Sequence, residues 1–230
     1  MNPRDALAGL YPHLAAGDAR PDGAPMTAAL LESVRQKAAD SVSVKQRFFA
    51  DNAPAIVEAA QMLARCYRGG GRLYTMGNGG SSCDAAHIAV EFLHPITAGR
   101  AALAATNLVA DTAMLTAVGN DVGIDHIFVR PLIAQARVGD GLIGVSTSGN
   151  SANLIAAFAT AKRLGVATFG LAGHDGGAMV KSADLDHCLV VESDSVHRVQ
   201  ETHVAIYHIL WDLVHTLLAD ARGGLEAQRR

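Results

Sequence analysis

Two histidines, a glutamate and a glutamine stand at spacings that suit either a metal site or acid–base catalysis. His87 and Glu91 are four residues apart on a predicted helix, so their side chains lie on one face of it, one turn apart. Gln200 and His208 lie on the last predicted helix, about 12 Å apart along its axis. Imidazole, carboxylate and amide oxygen together suit a borderline divalent ion such as zinc. The same groups could serve as general base and acid without a metal.

The helix that carries His87 and Glu91 is predicted to be buried on most of its faces. The residues around this pair are mostly apolar: Ala85, Ala86, Ile88, Ala89, Val90 and Phe92. A carboxylate on such a helix needs a partner, because a buried unpaired charge is costly. This argument favours a functional role over a simple surface pair. His203 and His215, on the last helix, are interpreted instead as helix-surface or hydrogen-bonded core histidines.

Two loops rich in glycine and hydroxyl groups are candidate phosphate sites. Residues 77–82 read GNGGSS, and residues 146–151 read STSGNS. Each follows a predicted strand and opens a predicted helix, where backbone N–H groups and the helix dipole attract an anion. Neither loop has the lysine of a Walker loop or the GxGxxG pattern of a dinucleotide site. Hydroxyls and amides suit a sugar phosphate, although the first loop could equally be an ordinary strand-to-helix turn.

An alternation of apolar runs and helical stretches must position these groups. Five runs suit buried parallel strands: Arg72–Met76, Ala101–Ala105, Gly141–Val145, Val166–Leu171 and Cys188–Val191. The helical stretches are Ser82–Leu93, Asp125–Ala136, Ala152–Leu164 and Val196–Leu218. The alternation predicts an α/β sandwich around a mostly parallel sheet with right-handed crossovers. Ligands of such sheets bind beyond the C-terminal ends of the strands.

Residues 27–68 are predicted to form a pair of amphipathic helices ahead of the sheet. Apolar residues recur near helical spacing in the first: Leu30, Leu31, Val34, Ala38, Val42 and Val44. An N-cap at Asp51-Asn52 and Pro54 in the first turn would begin the second helix, which the three glycines of 69–71 would end. The stripe on the first helix is expected to be buried in a partner subunit. We expect residues 1–26 to form a flexible leader, 27–222 one domain and 223–230 a tail.

The composition excludes several classes of protein. Half of the 230 residues are apolar and 18% are charged, which excludes a disordered chain. The net charge of −3 provides no excess of lysine and arginine for nucleic acid. Polar residues interrupt every apolar run before it reaches membrane-spanning length. Three widely spaced cysteines without a CxxC pair fit free thiols in a reducing cytosol.

Three segments together resemble the phosphoheptose isomerase family of SIS (sugar isomerase) domains. They are residues 76–91 (MGNGGSSCDAAHIAVE), residues 146–153 (STSGNSAN) and residues 198–203 (RVQETH), which lead to His208. Residues 118–121 (VGND) and 173–177 (GHDGG) also look like family segments. The likeness runs from about Ala28 to Leu218, and the order of the segments makes it specific.

The resemblance implies a flavodoxin-like three-layer sandwich with a five-stranded parallel sheet and N-terminal helices, in a cytoplasmic homotetramer. It implies isomerisation of sedoheptulose 7-phosphate to D-glycero-D-manno-heptose 7-phosphate, with Glu91 as the base and His208 as the acid. One zinc ion per site would be held by His87, Glu91, Gln200 and His208. The substrate would contact Asn78, Gly79, Gly80, Ser81, Glu91, Asp111, Ser146, Thr147, Ser148, Ser151 and Gln200.

Several alternatives remain at this point. Because Gln200 and His208 are far apart on one helix, both side chains must lean toward one ion, or a neighbouring subunit must supply part of the site. A non-catalytic SIS domain could bind a sugar phosphate and regulate another process, but it has no need of the four ligand residues. An isomerase of a different phosphosugar is also consistent. Residues 92–95 lack the family's arginine, the stretch from Glu91 to Asp111 is short, and His197 replaces a commonly acidic residue.

Overall fold

A five-stranded parallel sheet organises the structure, a computed structural model that describes residues 24–220. The helices are α1 (Ala24–Arg68), α2 (Gly80–Leu93), α3 (Thr112–Asp121), α4 (Val129–Gln135), α5 (Ala152–Arg163), α6 (Gly177–Lys181) and α7 (Val196–Asp220). The strands are β1 (Leu73–Gly77), β2 (Ala105–Asn107), β3 (Gly141–Ser146), β4 (Ala167–Gly173) and β5 (His187–Val191). The strand order is β2-β1-β3-β4-β5, and every neighbouring pair is parallel. This order confirms the predicted flavodoxin-like topology and puts its switch point between β1 and β3.

Helices cover both faces of the sheet because successive strand residues point to opposite sides. On one face, Leu73 and Ile143 belong to a buried cluster with side chains of α2, α7 and the second half of α1. On the other face, Tyr74 and Leu142 belong to a second cluster with side chains of α3, α4, α5 and α6. The predicted three-layer sandwich is therefore confirmed.

Residues 27–68 lie within one helix, α1, and the predicted break before Pro54 is wrong. Asn52 does not begin a new helix, because its side-chain Nδ2 donates to the carbonyl oxygen of Phe48 (3.0 Å), one turn back. Phe48 and Ile56, on either side of Pro54, are buried in the same cluster. Burial of this continuous face outweighs the hydrogen bond that a proline inside a helix cannot make.

The chain divides into two compact units, and the boundary lies between Asp40 and Ser41. In the first unit, Leu30, Leu31 and Val34 are exposed, and ion pairing is local, as between Arg35 and Glu32 (3.4 Å). The second unit contains the whole sheet and every residue of the predicted site. None of the helices in residues 24–220 combines the length and apolar character that a membrane span needs.

The remaining predicted boundaries agree within about two residues except in the region after α2. The predicted strand Ala101–Ala105 is wrong, because β2 starts at Ala105. Before it, Leu103 donates its backbone N–H to Phe92 at the end of α2 (2.8 Å). The predicted helix Asp125–Ala136 is split into a 3₁₀ turn and α4. The helices α3 and α6 were not predicted from the sequence. The predicted tail 223–230 and all but the last three residues of the leader 1–26 lie outside the described residues.

Candidate active site

The helices α2 and α7 bring three of the four predicted metal ligands together. His87 Nε2 lies 3.1 Å from Glu91 Oε1, and the His87 and His208 rings meet edge to face with centroids 5.1 Å apart. One possible ligand atom from each residue lies within 4.8 Å of the other two. His87 and Glu91 are half-buried and His208 is exposed. The helix spacing that the sequence shows therefore produces a compact cluster with access to solvent.

The chemistry of this donor set fits zinc. Two imidazoles and a carboxylate match the three protein ligands that a catalytic zinc site uses, with a further position left for water or substrate. Gln200 is the other predicted ligand, and it stands on the same helix as His208. It lies beside Gly80, two helical turns before His87 on α2, where its side-chain amide would collide with a methyl group on Gly80. That Gln200 is the fourth ligand stays a prediction.

Tyr207 and Asp84 surround His87, and the sequence reasoning missed both. The Tyr207 hydroxyl lies 2.8 Å from His87 Nδ1, and Tyr207 is buried. Burial raises the pKa of this hydroxyl, and the charges of Asp84 and Glu91 raise it further, so it is protonated at neutral pH. Burial also raises the pKa of Asp84 to about 6, which His87 partly opposes. The position of Asp84 in an apolar helix was a signal equal to that of Glu91.

A hydrogen bond joins the C-terminal end of α2 to α7. Trp211 Nε1 donates to the backbone carbonyl of Glu91 (2.8 Å), and the Arg100 guanidinium lies over the Trp211 ring, 5.7 Å from its centroid. Arg100 also pairs with Asp212 at 2.7 Å. Residues 92–100, where the sequence departs from the family pattern, thus lie beside the catalytic candidate Glu91.

The two predicted phosphate loops meet at the switch point of the sheet. They are neighbours because β1 and β3 pair in parallel, so their C-terminal ends lie side by side. The amides of Asn78 and Asn153 exchange two hydrogen bonds, each 2.9 Å long, between the start of α2 and the start of α5. Ser146 and Ser151 join the ends of the second loop through their hydroxyls at 2.9 Å. This edge is where ligands of such sheets bind.

The second loop is held in a tight conformation. Gly149 has a φ of 65°, and a methyl group there would collide with the carbonyl oxygen of Gly176. Asn150 Oδ1 accepts from the backbone N–H of Ala178 (2.9 Å). Ser148 is exposed and Thr147 is half-buried, so both lie where a ligand can reach them.

The other predicted substrate contacts have local roles as well. Gly79 is the N-cap residue of α2, with a φ of 54° that glycine tolerates. Ser81 is buried in the first turn of α2. Asp111 caps α3, since its Oδ1 accepts from the N–H of Met114 (2.9 Å), and it follows β2 at the same edge of the sheet. Contact of these residues with substrate stays a prediction.

Known proteins share both the fold and much of the sequence of this chain. Residues 38–173 match the SIS domain family. The phosphoheptose isomerase of Roseiflexus sp. (strain RS-1) is 43% identical over 178 residues, which cover 77% of this chain and 89% of that protein. That of Sulfurimonas denitrificans is 41% identical over 183 residues, covering 79% and 93%. The structure of phosphoheptose isomerase GmhA from Neisseria gonorrhoeae superimposes with a TM-score of 0.76 at 36% identity, covering 81% of this chain and 99% of that one. The chain therefore belongs to the phosphoheptose isomerase family of SIS domain proteins.

Proposed function

We propose that this chain isomerises sedoheptulose 7-phosphate, a ketose, to the aldose D-glycero-D-manno-heptose 7-phosphate. The His87–Glu91–His208 cluster carries the proposal, because a domain that only binds a sugar phosphate has no need of it. The start of α2, where the first phosphate loop lies, is about 10.5 Å from His87 along the helix axis. That span suits an extended sugar with its phosphate at one end and its reacting carbons at the other. The relatives named phosphoheptose isomerase support the same reaction.

Ketose–aldose isomerisation moves one proton between two neighbouring carbons, which needs a base and an acid. The Glu91 carboxylate takes a proton from C1, and the electron pair forms the C1–C2 double bond of an enediol. His208 gives a proton to the C2 oxygen. It then takes the proton from the C1 hydroxyl as the aldehyde forms, while Glu91 returns its proton to C2. Neither residue is consumed, and all protons balance over the cycle.

The proposed cofactor is one zinc ion per site, held by His87, Glu91 and His208, with Gln200 as the fourth ligand. When bound, zinc supplies a positive charge that favours the negative charge developing on the sugar oxygens. At the phosphate end of the sugar, away from the zinc, binding energy comes from the phosphate loops. There, Ser146, Thr147, Ser148 and Ser151 offer hydroxyls, and Asn78, Gly79, Gly80, Ser81 and Asp111 offer further polar groups. That remote binding energy holds C1 and C2 against the cluster.

The proposal extends to assembly and compartment. Leu30, Leu31 and Val34 are exposed in the single chain, and an apolar stripe of this kind is typical of a subunit interface. We assign the chain to a homotetramer in the cytoplasm. The three cysteines, which are free thiols, suit a reducing compartment.

The test is an assay of the purified, zinc-loaded protein on a panel of ketose phosphates in deuterated water. We expect the heptulose phosphate to be converted to the aldose, with some deuterium at C2, because the enediol exchanges protons with solvent through Glu91. Faster conversion of another ketose phosphate would replace the substrate and keep the reaction. Equal inactivity on the whole panel would overturn the proposed isomerase activity and favour a non-catalytic regulatory domain.

A further inference from the structure

We infer that Tyr207 is a positioning residue for the metal ion, because its hydroxyl orients His87 and accommodates the ring proton so that Nε2 can bind the ion. The inference rests on the metal site proposed above. It concerns a residue that the family resemblance did not bring forward and that lies next to His208 in the sequence.

The Tyr207 ring packs against both histidines of the cluster. Its ring is edge to face with that of His87 (centroids 5.3 Å apart) and with that of His208 (4.9 Å). It is only 2% exposed, so its position is fixed by the core around it. Because His87 also faces Glu91 through its other nitrogen, both ring nitrogens have a partner and the ring has one orientation.

The hydroxyl matters because the proton on His87 must change place when an ion binds. Without an ion, Nε2–H donates to the Glu91 carboxylate, and Nδ1 accepts from the Tyr207 hydroxyl. With an ion on Nε2, a neutral ring carries its proton on Nδ1, and Tyr207 Oη becomes the acceptor. A hydroxyl can donate or accept, whereas a backbone carbonyl or a carboxylate in this place could only accept. Tyr207 therefore suits both the free and the loaded site.

Asp84 is the candidate acceptor for the Tyr207 proton in the loaded site. It lies three residues before His87 on α2, so it shares that face of the helix. Asp84 is 8% exposed, and within the described part of the chain its Oδ2 has no hydrogen-bond partner. Its charge acts on both Tyr207 and His87. We expect the Tyr207 hydroxyl proton to turn toward Asp84 Oδ2 when an ion is bound to His87.

The test is Tyr207→Phe, which removes the hydroxyl and keeps the ring. Zinc affinity is measured by competition with a chromophoric chelator, and we expect it to be about 10- to 100-fold weaker, as is typical when a ligand loses its outer partner. The matched control is Tyr67→Phe. The Tyr67 hydroxyl donates to the carbonyl of Ala104 (3.3 Å) and does not contact the cluster, so zinc affinity should be unchanged. Thermal unfolding of both metal-free variants checks that the fold is kept.

Two further readouts separate positioning from a structural role. Excess zinc should restore much of the lost turnover in Tyr207→Phe with little change in KM, and the visible spectrum of the cobalt-loaded variant should differ from that of the wild type. Equal zinc affinity in the wild type and Tyr207→Phe would overturn the inference, as would an equal loss in Tyr67→Phe. If the wild type binds zinc and Tyr207→Phe alone binds it more weakly, yet the wild type isomerises no sugar phosphate, the proposed function would be overturned and the role of Tyr207 supported. A wild type that binds no zinc would overturn both.

Discussion

Gly80, the first residue of α2, lies so close to the side-chain amide of Gln200 on α7 that a β-carbon at position 80 would collide with it. The backbone of Gly80 does not have a positive φ, so alanine is conformationally allowed there. The glycine is therefore required by the approach of Gln200 and not by the turn. This relationship allows the role of Gln200 to be tested from the opposite helix.

We expect Gly80→Ala to fold normally but to lose activity by about tenfold or more, as when a ligand or its support is displaced. Only the flexible end of Gln200 must move, so the free energy of unfolding should change little. Gly80→Ala and Gln200→Ala should be non-additive in kcat/KM, because both act on one side chain. Gly119→Ala on α3, where a methyl has room, is the control. Additive losses would mean that Gln200 is not the group affected.

Glu91→Gln tests the base directly. The substitution keeps the shape and an oxygen atom but removes the basic carboxylate, so turnover should fall about 10²- to 10⁴-fold. A non-reacting substrate analogue should bind with similar affinity, since the phosphate loops are untouched. Glu58→Gln, on an exposed position of α1, should have no effect. Near-normal turnover of Glu91→Gln would show that the chain shares the fold of the family without this mechanism.

Ser148→Ala and Ser151→Ala test the phosphate loop. Each should weaken substrate binding by about 1 kcal/mol or more, because each removes a hydroxyl that donates to a charged group. Ser182→Ala, whose hydroxyl accepts from the backbone N–H of Asp184, is the matched serine outside the loop. Calorimetric titration with the analogue measures the three affinities. Unchanged affinity in both loop variants would show that the substrate phosphate does not bind at this loop.

His203 makes the stability of the fold sensitive to acid. It is fully buried, its Nε2 donates to the carbonyl of Ala172 (3.0 Å), and burial lowers its pKa to about 4. Between about pH 6.5 and pH 4 the unfolded chain binds a proton that the folded chain does not, so stability is lost as the pH falls. Over this pH range, the free energy of unfolding of His203→Gln, measured in urea, should fall by up to about 3 kcal/mol less than that of the wild type. The exposed His126→Gln should follow the wild type.

Light scattering at micromolar concentration tests the assembly. We expect a tetramer, and we expect Leu31→Glu with Val34→Glu to shift it toward smaller species, because the exposed apolar stripe would then carry charge. Lys37→Glu is a control for the added charge alone. A monomeric wild type would contradict the proposed interface.

The sequence was sufficient where the information is local and insufficient where distant segments meet. The helix spacing of His87 and Glu91 and the alternation of strands and helices are both visible over short windows. By contrast, the contact of Tyr207 with His87 joins residues 120 positions apart and depends on how α2 and α7 align.

Helix and strand ends show the same limit. The continuity of α1 through Pro54 depends on burial against the sheet, which outweighs the local preference for a break. The start of β2 depends on which backbone groups the end of α2 has already engaged. Neither tertiary effect is visible from residue propensities.

The division of the site between strand ends and helix faces has a consequence for its evolution and redesign. The loops that suit the phosphate follow β1 and β3, whereas the cluster that suits proton transfer lies on α2 and α7, beyond the first turn of each helix. Residues 94–100 follow α2, and Arg100 of this segment contacts Trp211 on α7. Exchange of this short segment could therefore change the sugar specificity, while the loops that suit phosphate and the cluster that suits proton transfer are both kept.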